Sequence, residues 1–193
     1  ALLLYGIVRR TLMGRGLRER YGSAAGGLAL AAALLWVVHP LQTQSVTYIT
    51  QRAESLVSLF CLLTLYCVIR GAHAPYPRGW YEAAVLSCAL GMGSKQIMVM
   101  APFLVLLYDR VFLAGSWKEL VRHRWGLYCG LAATWILLGL LVATGPRIAS
   151  VGFSFPHLPV WTYLNTQFGV LVHYLRLALW PHPLLSDYAW PIA

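Results

Sequence analysis

The sequence predicts an all-α integral membrane protein: a multi-pass helical bundle with interfacial helices on its outer face. Three observations predict it. Hydrophobic residues make up 59% of the chain and charged residues 11%, at a mean hydropathy of +0.64. Soluble domains carry roughly 25% charged residues, so this chain cannot cover its own surface with polar groups. The apolar residues fall into runs approaching the ~20 residues that cross a bilayer. The basic residues then cluster in alternate connections: Arg9, Arg10, Arg15, Arg18 and Arg20, then Arg70 and Arg78, then Arg110, Lys118, Arg122 and Arg124. These are 11 of the 15 Lys and Arg residues, and loops so enriched are cytoplasmic under the positive-inside rule. The net charge of +9 is therefore topology, and a nucleic-acid footprint is set aside.

The elements follow in order. Residues 1–8 read as the tail of a span that runs into the arginine-rich connection 9–21. Residues 22–38, rich in Ala and Gly, form the next span and suit close helix packing. Pro40 pushes His39 out of helical geometry and ends it. Residues 41–54 carry Gln44, Thr47, Gln51 and Glu54 on one face and Val46, Ile49, Ala53 and Leu56 on another, which predicts an interfacial helix that lies on the outer membrane surface or enters it obliquely. Residues 55–69 cross inward, and 71–79, with Pro75 and Pro77, form a turn. Residues 80–94 and 96–108 form a helical hairpin tipped by Lys95. Asp109 and Arg110 return the chain to the cytoplasm.

Residues 116–124 then predict a basic interfacial helix, with Ser116 as N-cap and Glu119 completing a capping box. Residues 125–144 are the cleanest span, without a charge. After an outer loop over 145–159, residues 160–180 form a helix with Asn165, Gly169, His173, Arg176 and Trp180 on one face. Cys61, Cys67, Cys88 and Cys129 all lie within apolar runs and read as buried, inert thiols. The whole, 1–193, reads as one polytopic membrane domain of about six to seven hydrophobic helices. It begins without Met and ends after a Trp-Pro pair, and so reads as a piece of a longer protein.

The outer face collects His39, Gln44, Gln51, Arg52, Glu54, Lys95, Arg147, His173, Arg176 and Asp187. Arg52, Lys95, Arg176 and His39 suit an anionic phosphate, with Gln44, Gln51, Arg147 and His173 lining the site. Snorkelling anchors and local ion pairs, Arg52 with Glu54 or Arg176 with Asp187, are the structural alternative. Glu54 and Asp187 are the only carboxylates placed there, hence weak candidates for accepting a proton. The histidines lack zinc-ligand spacing, so no metal is expected. No cofactor is expected either.

Three stretches resemble a known family: His39 to Leu56 (HPLQTQSVTYITQRAESL), Leu90 to Gln96 (LGMGSKQ) and Tyr174 to Pro183 (YLRLALWPHP). They look like the membrane part of bacterial multi-pass proteins with tetratricopeptide repeats, similar to the transmembrane and tetratricopeptide-repeat O-mannosyltransferases. The resemblance implies a GT-C-like membrane core that takes a polyprenyl-phosphate-linked sugar as substrate and transfers it to a protein hydroxyl on the outer face. It further implies that the main catalytic acid lies in a first outer loop before Ala1 and that the repeats follow Ala193.

Many relatives carry Glu where this chain has Gln44 and Gln96, so negative charge is lost at both places. Two readings stay open: a glycosyltransferase-like domain of a bacterial inner membrane, and a non-catalytic anchor presenting a repeat domain to partners. A transporter is disfavoured, because the charges gather at one face and transport sites lie near the midplane.

Overall fold

The computed structural model describes residues 1–14, 16–40, 52–144, 160–180 and 182. Eight α-helices occur among them: α1 (Leu2–Leu12), α2 (Arg18–Tyr21), α3 (Ala25–Val38), α4 (Arg52–His73), α5 (Arg78–Ser94), α6 (Ala101–Tyr108), α7 (Trp117–Thr144) and α8 (Val160–Leu179). A 3-10 turn, Gln96–Met100, leads into α6, and a π-turn, Asp109–Leu113, leaves it. The described residues contain no strand, so the all-α class stands as predicted. Among the described residues three stretches are long and apolar enough to cross a membrane: Arg52–His73, Gln96–Leu113 and Arg122–Thr144. The chain divides into two compact units, Ala1–Thr144 and Gly145–Ala193.

In the first unit the core is built around α4. Leu65, Val68 and Ile69 of α4 pack with Ala84, Cys88 and Met92 of α5, Met98 and Val105 of the returning arm, and Leu127 and Leu131 of α7. The α4–α5 seam is the most extensive, α1 pairs with α3, and α7 packs on α5. Lipid offers no hydrophobic drive between helices, so these seams depend on close approach at small residues. A Cβ on Gly6 would meet the Tyr66 ring at 2.7 Å, and one on Gly130 would meet a Val85 methyl at 2.7 Å. Buried hydroxyls are satisfied within their own helices. Thr64 donates to the Phe60 carbonyl and Ser87 to the Ala83 carbonyl, each at 2.7 Å.

Several expected boundaries shift. The run 22–38 yields a helix of only 14 residues, Ala25–Val38, about 21 Å long and short of a full crossing. Its start is delayed because residues 22–24 continue the turn of α2, with Gly22 N–H on the Arg18 carbonyl at 2.8 Å. It ends as expected, with His39 extended ahead of Pro40. The span expected at 55–69 is longer, Arg52–His73, so the connection that follows is reduced to residues 74–77. The stretch 41–51 of the expected interfacial helix lies outside the described residues. So do the outer loop 145–159 and the side chain of Glu119.

The basic segment and the clean span are one helix, α7, with a break at Arg124 (φ −129°, ψ 18°) that divides them where expected. Cys67 and Cys88 are buried, but Cys129 is exposed, contrary to expectation, because it faces outward from α7. Asp109, expected in a cytoplasmic return, is fully buried.

In the second unit α8 is a single helix. Phe168, Leu171, Val172, Leu175 and Leu179 are exposed on its apolar side, and Leu177 is buried.

Candidate functional site

The three arginine-rich connections meet at one end of the first unit. Thr11 and Tyr108 share a hydrogen bond, Arg10 lies over the Tyr66 ring, and a recess is lined jointly by His73, Arg124 and residues 111–115. The opposite end is formed by the start of α4 and the tip of the α5 hairpin.

That tip is tightly constructed. Lys95 is extended (φ −160°, ψ 143°), which stops α5, and its N–H still bonds the Gly91 carbonyl at 3.1 Å. The 3-10 turn then restarts, with Met98 N–H on the Lys95 carbonyl at 3.2 Å and the Met98 side chain buried beside Gly91. Only one residue is left to make the turn, so the Lys95 side chain is directed from the bundle end. It forms an ion pair with Glu54 in the first turn of α4.

Below this pair runs an apolar cleft of about 570 Å³ between α3, α4 and the returning arm. Trp36, Val57, Cys61, Leu62 and the arm from Ile97 to Leu107 line it, with Glu54 and Ser58 at its polar end. The arm's eleven residues, Ile97 to Leu107, cover roughly 15 Å along the helix. The site is thus a charged pair above an apolar trough open to the side.

The expected outer-face residues divide into three groups. Lys95 and Glu54 are brought into contact; the Arg52–Glu54 pair considered from sequence gives way to Lys95–Glu54, and Arg52 is exposed beside it at the start of α4. His39 is half-buried at the end of α3, three residues after Trp36, which lines the cleft. Arg176, exposed, and His173, half-buried, lie on α8 in the second unit. Gln44, Gln51, Arg147 and Asp187 lie outside the described residues. No group of three or more His, Cys, Asp or Glu that could hold a metal is found among the described residues.

A second polar cluster escaped the sequence reading. At the arginine-rich end, Asp109 accepts from Arg124 and, at 2.7 Å, from the Tyr128 hydroxyl. Its side chain is 0% exposed and that of Arg124 14%. Two local devices hold it in place. The π-turn, with Ala114 N–H on the Asp109 carbonyl at 2.7 Å, folds the chain back at Asp109, and the break at Arg124 turns that residue towards it. By burial this pair is structural, whereas Lys95 (44%) and Glu54 (37%) are accessible enough to exchange partners.

The profile of the family described as dolichyl-phosphate-mannose-protein mannosyltransferase matches residues 1–143. The chain is also similar to Protein O-mannosyl-transferase Tmtc2 of Drosophila melanogaster, 27% identical over 174 residues, which cover 82% of this chain and 18% of that protein. The chain therefore spans less than a fifth of that relative's length. No solved structure matches.

Proposed function

Since the chain belongs to the dolichyl-phosphate-mannose-protein mannosyltransferase family, we propose that it is the membrane part of a glycosyltransferase. It moves a sugar from a polyprenyl-phosphate donor to a protein hydroxyl on the outer face of a bacterial plasma membrane. The observation that carries this reading is the apolar cleft with an accessible ammonium at its head. A polyprenyl phosphate has the matching form, a long hydrocarbon chain ending in an anion.

In the proposed arrangement the polyprenyl chain lies along Phe103, Leu104 and Leu107, and Lys95 meets the phosphate. During transfer the acceptor hydroxyl gives up its proton to a general base as its oxygen bonds to the anomeric carbon. The bond from that carbon to the phosphate oxygen breaks, and its electron pair leaves with polyprenyl phosphate. Lys95 offsets the charge that grows on this leaving group. Glu54 holds Lys95 at the cleft head until the donor arrives. Arg52 and His39 add positive or donating groups at the same end.

The non-catalytic anchor reading has one observation in its favour: Glu54, the one carboxylate described at this end, is engaged by Lys95. The test is to titrate polyprenyl phosphate into the detergent-purified full-length protein and to assay transfer from the sugar-loaded donor alongside. Binding with transfer supports the enzyme. Binding without transfer supports the anchor, and no binding removes the cleft from both.

A further inference from the structure

At the arginine-rich end of the first unit, a mainly polar recess of about 440 Å³ lies between His73 at the C-terminus of α4 and residues 111–115, with Arg124 in its wall. Two more arginines adjoin it along the chain: Arg70 lies one turn before His73, and Arg110 immediately precedes Val111. Each rests on an aromatic ring, Arg70 at 4.6 Å from the centre of Trp80 and Arg110 at 5.6 Å from that of Trp117. Stacking engages the flat face of a guanidinium and leaves its N–H edges available, in a fork that fits two oxygens of one phosphate. Asp109, the residue before Arg110, is fully buried and already engaged by Arg124 and Tyr128. Trp117 is 56% exposed, and tryptophans of this kind sit at headgroup depth in a bilayer.

We propose that this recess binds the phosphate of an anionic phospholipid headgroup from the leaflet that the arginine-rich end faces. The site is separate from the Lys95–Glu54 cleft, and the two lie at opposite ends of α4. Its ligand is a bilayer lipid rather than a sugar donor. The stacked arginines distinguish it from diffuse attraction to a charged surface, because they call for the fork geometry as well as the charge.

The test reconstitutes the full-length protein in vesicles of equal phosphatidylcholine and phosphatidylglycerol, then extracts it gently and measures the ratio of the two lipids retained. The wild type should retain phosphatidylglycerol in excess. Arg70→Ala with Arg110→Ala should reduce the excess by roughly fivefold per arginine. Arg70→Lys with Arg110→Lys, which keeps the charge and spares the fold should the alanine variant fail to assemble, should recover only part of it. Arg18→Ala, at an exposed arginine of α2 outside both sites, should change the ratio far less. Full retention by the lysine variant, or an equal loss in Arg18→Ala, overturns the proposal and leaves surface charge alone as the cause.

Discussion

Asp109 and Arg124 are buried together at the point where one span ends in a π-turn and the next begins with a bend. A buried ion pair repays its desolvation only while both members are present, so removing one leaves a stranded charge.

Arg124→Ala should therefore cost about 3–5 kcal/mol, among the largest single-residue losses in the first unit. The double change Asp109→Asn with Arg124→Gln removes both charges and should recover part of that loss. Thermal melting in detergent checks the order; a double variant no more stable than Arg124→Ala would show that the charge is not what is being compensated.

Lys95 and Glu54 should behave in the opposite way. Their pair is accessible, and exposed pairs contribute about 0–1 kcal/mol, so Lys95→Ala should melt close to wild type. Its affinity for polyprenyl phosphate should nevertheless fall roughly tenfold to a hundredfold, the weight of one charge-assisted hydrogen bond. Glu54→Gln should leave affinity unchanged or raise it, because Lys95 loses its competitor.

The glycines divide sharply. Gly130→Ala should cost about 1–3 kcal/mol, since its Cβ would sit 2.7 Å from a Val85 methyl in the α5–α7 seam. Gly126→Ala, one turn earlier, meets nothing within 4 Å and should be neutral or slightly stabilising. Equal melting temperatures for the two would contradict the α5–α7 packing.

Topology provides a fourth check. Single cysteines at His73 and Ser116, in a background free of native thiols, should label from the cytoplasmic side of sealed vesicles, and one at Gln96 from the other side. Labelling of His73 and Gln96 from the same side would contradict their placement at opposite ends of the bundle.

Much of this fold was legible residue by residue. The span ending at Thr144 could be read because no charge interrupts it, and the break at His39 because Pro40 imposes it. The join between basic segment and span was marked by Arg124 itself. The pairing of that same Arg124 was not legible. An Asp-Arg step after an apolar run looks the same whether it emerges into water or folds back, and only tertiary packing brings residue 124 to residue 109. The partner of Glu54 was misjudged for a related reason. Arg52 is closer along the chain, but Lys95 is brought to it across 41 residues by the hairpin tip. The exposure of Cys129 likewise depends on which side of α7 meets a neighbour.

The burial of Asp109 also bears on how the protein is made. Neither a lone aspartate nor a lone arginine is comfortable at the edge of hydrocarbon, and each is costly to insert alone. The two stand 15 residues apart on segments consecutive in translation. The descending arm and the rising helix therefore gain by leaving the insertion machinery as a joined pair, each carrying the other's counter-charge. An Arg124 variant would impair biogenesis before it impaired the finished molecule, and the deficit would be read as protein failing to accumulate in the membrane.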